Sequence, residues 1–412
     1  MAGPLAQVRV LDLSRVLAGP WAGQNLADLG AEVIKVERPK VGDDSRAFGP
    51  PWVKDTQGRE TKDSAYFTSA NRGKKSITVN VAAPQGQALI RALVRECDVL
   101  IENYKHGDLA RYGLGYDDLK SANPRLIYCS ITGFGQTGPY RERPGYDFMI
   151  QGMGGMMSIT GEPDAGSGEH KTGGGPQRAG VPIADIITGM YASIAICAAL
   201  ASRAQTGAGQ HLDLALLDSQ IALLAYQNTN YFSTGKPPGR IGNLHPNIVP
   251  YQPFRSSDGE VIVACGNDNL FRRFCDAAGC PEFATDARFA TNGKRVENRA
   301  ELTRLIQDIF SKKTTAEWLA LLDPAGVPNG PINDIAQVFA EPQVKARGVK
   351  IELQHAAAGK LPLVASPMRF SGTPLEYWLA PPLLGEHTDE VLRGLLGKSD
   401  AEIAQLRAEG VL

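Results

Sequence analysis

A carboxylate at the start of an apolar helix can do one of two jobs. Asp185, in RAGVPIADIITG, follows a glycine-rich stretch and opens such a helix. It either caps that helix or serves as a nucleophile whose adducts face glycine N–H donors. Asp147, in PGYDFM, carries a similar ambiguity between capping a helix and orienting a partner. A second set of residues is cationic. Arg38 follows a strand-like run, Asn71-Arg72-Gly73-Lys74-Lys75 precedes another, and Arg111 comes a few residues after a third. Cations on several loops of one sheet edge suit a ligand with several phosphates; a solvated basic rim is the alternative.

Other chemistries lack their residues. The turn SRVLAGPWAG is not GxGxxG, so the close backbone approach needed for a dinucleotide pyrophosphate is not expected. The six histidines, His106, His170, His211, His245, His355 and His387, form no HExxH or comparable spacing, so no metal site is expected. His245, in NLHPNIVPY, reads as a loop residue. There is no GxSxG elbow for a serine hydrolase. The six cysteines form no CxxC pair and read as buried, reduced thiols.

The elements that must position these groups alternate. Val8–Leu13 reads as a buried strand, and Gly19 to Leu29 as a helix. Glu32–Glu37 and Ser76–Val81 are further strands, the latter followed by a helix from Pro84 to Glu96 with Leu89, Ile90, Leu93 and Val94 on one face. Asp98–Tyr104 and Leu126–Thr132 complete a series of parallel βαβ units, hence an open α/β sheet with crevices at the strand carboxyl ends. Between Gly152 and Gly180 lie 10 of the 45 glycines, a loop region. The apolar helix from Pro182, a strand His211–Leu217 and a helix to about Tyr231 follow. Tyr251–Ser256 and Glu260–Cys265 then flank the Ser257-Asp258-Gly259 turn as a hairpin, with helices from Leu270 and Arg299. The expected division is a large domain over 1–225 with a linker helix to about 234, a small α/β domain over 235–330, and a return over 331–412.

Among 412 residues, 43 Lys+Arg against 44 Asp+Glu leave a net charge of −1. That balance points away from nucleic acid and acidic membranes as partners. The run Ile186–Ser202, 17 residues, falls short of the roughly 20 needed to span a bilayer and reads as a core or interface helix. The opening MAGPLAQVRVLDL lacks the layout of a secretory signal, so a cytoplasmic location is expected.

The stretches LDLSRVLAGPWAGQNLADLGAEVIKVERP, NRGKKSITVN, DVLIENYKHGDLARYGLGYDDL, LIYCSITGFGQTGP, GYDFMIQGMGGMMSITGEPD, GVPIADIITGMYA and PLLGEHTDEVL span nearly the whole chain. In that order it resembles the class III CoA-transferases, the family of formyl-CoA:oxalate and carnitine CoA-transferases and the α-methylacyl-CoA racemases. The resemblance implies a Rossmann-like large domain, a small domain, and two chains interlocked as rings in an obligate homodimer. It implies that Asp185 is catalytic, with Tyr146 and Asp147 in support. Val16, Ala18, Arg38, Asn71, Arg72, Lys74, Lys75, Asn103 and Arg111 are then expected to contact CoA. Gly152, Gly154 and Gly155 belong to a loop expected to close over acyl intermediates. Coenzyme A enters as an acyl-CoA substrate, and no tightly bound cofactor is implied.

Racemases of the family carry histidine in a GHD motif, where this chain has Gly145-Tyr146-Asp147. A tyrosine, with a pKa of about 10, is a poor base at neutral pH, which favours transfer over racemisation of a 2-methylacyl-CoA. VERPKVGDDSRAFGPPWV, HPNIVPYQPFRSSDG, ACGNDNLFRRF and NDIAQVFAEPQV look most like the succinyl-CoA:glutarate type. Leu17 stands where the oxalate enzymes carry glutamine, and their glycine-run loop has no match. Arg46, Arg72, Arg178 and His245 are unranked candidates for the far carboxylate of a diacid. The implied chemistry runs through an aspartyl–acyl anhydride and an aspartyl-CoA thioester, for which an ordinary ionised aspartate is expected to suffice.

Overall fold

The computed structural model describes residues 3–163 and 174–412. Gly166, Gly168, His170 and Gly173, in the middle of the glycine-rich stretch, lie outside the described residues. Six strands form one sheet: Arg9–Asp12, Glu32–Glu37, Lys74–Thr78, Val99–Glu102, Ile127–Thr132 and His211–Ala215, each pair of neighbours parallel. Counted along the chain, their spatial order is 3-2-1-4-5-6, a doubly wound sheet whose order reverses between the first and fourth strands.

Both faces of this sheet are buried, and the period of two in its strands divides their side chains between two cores. Val10, Val33, Val99 and Ile127 face one core; Leu11, Ile34, Leu100 and Tyr128 face the other. The first core is covered by the helices Ala18–Asp28 and Ile183–Thr206. They approach closely because their contact is made of small residues. A Cβ on Gly189 would lie 2.5 Å from the Ala18 carbonyl oxygen, so only glycine fits there. The second core is covered by Pro84–Arg95 and by the C-terminal helices Thr388–Leu396 and Asp400–Ala408, which contribute Val391, Leu392 and Ile403.

The helix Ile183–Thr206 is, among the described residues, the one helix long and apolar enough to cross a membrane by length and composition. One of its faces is buried by the sheet and the helix Ala18–Asp28, while Met190, Tyr191 and Ile194 on the other are exposed. The third strand starts at Lys74, two residues ahead of the expected Ser76, so Lys74 and Lys75 are strand residues and not loop residues. The helix expected to run to Tyr231 is two helices, Leu216–Leu223 and Tyr226–Thr234, separated at Ala225 with φ +46°.

The chain divides into two compact units. One runs to Met156 and adds Ala179–Thr234 and Val344–Leu412; the other joins Gly235–Gln343 to the described part of Met157–Arg178. The second unit holds the antiparallel hairpin Tyr251–Arg255 with Glu260–Ala264, extended by Asn329–Pro331. Its core stacks Phe254, Phe274, Phe310 and Trp318, with the last two ring centroids 4.1 Å apart.

Candidate active site

In an open parallel sheet a crevice forms where the strand order reverses, since the loops leaving the two central strands diverge. Here those loops follow Asp12 and Glu102. A cleft of about 230 Å3 lies between them, with Arg15 and Val16 from the first loop, Ala18 from the start of the helix that follows it, Asn103 and Tyr104 from the second loop, and Asp185 in its wall. Asn103 clasps the two loops together. Its Oδ1 accepts from the Arg15 N–H at 2.8 Å, and its Nδ2 donates to the Arg15 carbonyl at 2.7 Å.

Asp185 occupies the first turn of Ile183–Thr206, whose capping position is Pro182. Proline has no side-chain acceptor, and Asp147 takes over that task from a different helix, Asp147–Met153. Its Oδ1 accepts from the N–H groups of Ala184 at 2.8 Å and Asp185 at 3.4 Å. Of the roles open to the two aspartates, capping thus falls to Asp147. The Asp185 carboxylate accepts no hydrogen bond among the described residues. Gln151, fully buried, completes the support. Its Nε2 donates to Asp147 Oδ2 at 2.7 Å, and its Oε1 accepts from the Ala179 N–H at 2.8 Å. Behind Tyr146, Gly145 packs on Gly133 so closely that a Cβ on either would fall within 2.5 Å of the other's Cα.

Burial pushes the Asp185 carboxyl up to about 7, and the negative charge of Asp147 adds to the rise. This departs from the ordinary ionised aspartate expected from sequence. Tyr66 is close enough to sense both carboxylates. Burial, then Asp185 and Asp147, raise its phenol to about 12, so it remains a protonated donor at neutral pH.

The structure brings Val16, Ala18, Asn103, Tyr146 and Asp185 into one cleft. Arg38 lines a smaller neighbouring cleft of about 140 Å3, which shares Arg15 and Tyr104 with the first. Other members of the expected set lie elsewhere, and the expectation of cations on several loops of one sheet edge is corrected accordingly. Lys75 is the second residue of its strand, near the amino edge of the sheet, and pairs with Glu32 at 2.9 Å and Glu390 at 2.7 Å. Lys74 is fully buried and donates to Asp12, to Asn71 Oδ1 and to the Pro20 carbonyl, each at 2.9 Å. Arg72 pairs with Asp28 and donates to the Val364 carbonyl at 2.8 Å. Arg111 is exposed and pairs with Asp108. Of the far-carboxylate candidates, Arg46 is already held by Glu37 and Asp63, while Arg178 and His245 belong to the second unit.

Gly152 lies inside the helix Asp147–Met153 and Gly154 ends it. The N–H of Gly154 donates to Ile150 at 2.7 Å and that of Gly155 to Gly152 at 3.4 Å, so in this conformation those donors are engaged. Arg15 and Arg143 are among the cleft residues not expected from sequence. Arg15 pairs with Asp44 at 2.7 Å and lies 5.4 Å from the Tyr104 ring; its place directly after the first strand was the available signal. Arg143 lines the cleft against the Tyr140 and Phe134 rings, with nothing in its local sequence to mark it.

The family model for CoA-transferase family III matches residues 5–388. Among curated relatives, a succinate–glutarate CoA-transferase of Agrobacterium fabrum is 51% identical, with 95% of this chain and 96% of that one covered. The human succinyl-CoA:glutarate CoA-transferase is 44% identical, over 99% of this chain and 90% of its own. A crystal structure of a CAIB/BAIF family protein from Brucella suis superposes with a TM-score of 0.82 at 51% identity, covering 96% of this chain and all of the other. With a family match over most of its length and relatives at this identity, the chain belongs to CoA-transferase family III.

Proposed function

We propose that this protein transfers coenzyme A from succinyl-CoA, or a similar short dicarboxyl-CoA, to a short dicarboxylate such as glutarate, with Asp185 as the covalent carrier. The observation that carries this reading is the Asp185 carboxylate, accepting no hydrogen bond among the described residues, in a cleft at the switch point of the sheet. The names of the Agrobacterium and human relatives support the substrate class.

The Asp185 carboxylate attacks the thioester carbonyl of succinyl-CoA, the C–S bond breaks, and an aspartyl–succinyl anhydride forms with release of CoA thiolate. The thiolate attacks the aspartyl carbonyl, giving an aspartyl-CoA thioester and free succinate. Glutarate attacks that thioester to form an aspartyl–glutaryl anhydride and thiolate. Attack of the thiolate on the glutaryl carbonyl yields glutaryl-CoA and returns the carboxylate. No step moves a proton, so Asp185 must begin ionised. Val16, Ala18 and Asn103 line the path of CoA in this reading. Arg15 and Arg38 share the single carboxylate of Asp44, which leaves a positive excess for its phosphates. Gly152–Gly155 cover the intermediates, their N–H groups being released as the helix end opens.

The exposed apolar residues of Ile183–Thr206, Met190, Tyr191 and Ile194, suit coverage by a second copy of the chain, in keeping with an interlocked homodimer. Six unpaired cysteines fit a reducing compartment such as the cytoplasm.

The test is turnover of succinyl-CoA with glutarate by the native chain and by Asp185→Ala. The variant is expected to lose transfer by at least about 1,000-fold while still binding CoA. Transfer at the native rate by Asp185→Ala would refute the assignment.

A further inference from the structure

The turn between the first strand and its helix contains an unusual residue. Val16 has φ +69°, a left-handed conformation that glycine adopts freely and a β-branched residue resists. Val16 also lines the cleft beside Asp185, where glycine would offer no side chain. Something must hold the valine there, and the contacts show what does. Asp43 Oδ1 accepts from the Val16 N–H at 3.1 Å. The same carboxylate is ion-paired with Lys35 at 2.8 Å, both side chains being wholly buried. Lys35 in turn donates to the Ser14 carbonyl at 2.9 Å, bracing the turn at a second point. Asp43 is itself fixed, because its Oδ1 also accepts from the Ser45 N–H at 2.9 Å and its N–H donates to Glu37 Oε2 at 2.9 Å.

We propose that Asp43 is a positioning residue of the transferase cleft: anchored by Lys35, it holds Val16 in the left-handed conformation that presents the valine side chain to acyl-CoA. The inference rests on the reading of this cleft as the CoA site. Asp43 acts through Val16 and touches no reacting atom. Its loss lets the valine backbone relax toward ordinary φ, and the cleft wall moves with it. Glycine at position 16 carries no such bias and reduces the need for the anchor.

The experiment measures the Kd of free CoA by calorimetry, KM for succinyl-CoA, and Tm, on the full chain. Asp43→Ala is expected to weaken CoA and raise KM by about tenfold, with kcat less affected. Val16→Gly alone is expected to weaken CoA and raise KM to a similar extent, since it removes the side chain that Asp43 positions, and adding Asp43→Ala to it is expected to change either constant by no more than about threefold further, although Tm falls. A purely structural role would make the two losses multiply. Unchanged CoA affinity in Asp43→Ala, or multiplying losses in the double variant, overturns the proposal. If Asp43→Ala alone does not fold, a folded double variant that binds CoA as Val16→Gly does supports the inference, and failure of both to fold overturns it. Because CoA affinity is read apart from turnover, a failed Asp185 assignment and a failed Asp43 inference give different results.

Discussion

The carrier role proposed for Asp185 requires it to be ionised, yet burial and Asp147 raise its pKa to about 7. The sign follows directly. Below that pH the carboxyl is protonated and inert; above it the nucleophile is present, so kcat/KM for succinyl-CoA should rise with pH through an acid limb centred near 7. Asp147→Asn keeps an oxygen to accept from Ala184 but removes the neighbouring charge, which favours ionisation of Asp185. The acid limb should therefore move to lower pH, as a pH–rate profile would show; an unmoved limb would mean that Asp147 does not act electrostatically. The two aspartates were legible from sequence as helix-start carboxylates. Which one capped and which stayed available was not, because the capping contact joins residues 37 positions apart.

At the scale of elements, the alternating strands and helices were readable because both cores impose a period of two on the strands and a one-sided apolar stripe on Pro84–Arg95. Lys74 and Lys75 are an exception. Two lysines after a glycine look like loop, and nothing local shows that Asp12, 62 residues away, neutralises Lys74 inside the sheet. The hairpins Trp52–Lys54 with Glu60–Ser64 and Lys350–His355 with Gly359–Val364 also went unread. Glu60–Ser64 is a largely polar strand, ETKDS, without the apolar alternation that would mark it. Gln151 is a comparable case: a polar residue within a short helix gives no hint that it is fully buried and ties Asp147 to the entry of the Asp185 helix.

For the whole molecule, a net charge of −1 is compatible with a polyanionic substrate because most of the expected cations are spent internally. Arg72, Lys74, Lys75 and Arg111 each face a carboxylate, while Arg15 and Arg38 share Asp44 and Arg143 lines the cleft too, a local cationic rim. The apolar face carrying Met190 and Ile194, the latter 62% exposed, sets an expectation for assembly. Sedimentation should give twice the chain mass of 44.1 kDa, and Ile194→Glu should weaken that species. A fully active monomer would contradict it.

The most direct test of the central claim is to trap the carrier. The native chain is incubated with succinyl-CoA, quenched with hydroxylamine, digested, and the peptide containing Asp185 is weighed by mass spectrometry. A hydroxamate on Asp185, formed with succinyl-CoA and not with free CoA, is the predicted result. Continued turnover with Asp185 unmodified, or an adduct on another residue, would contradict the account.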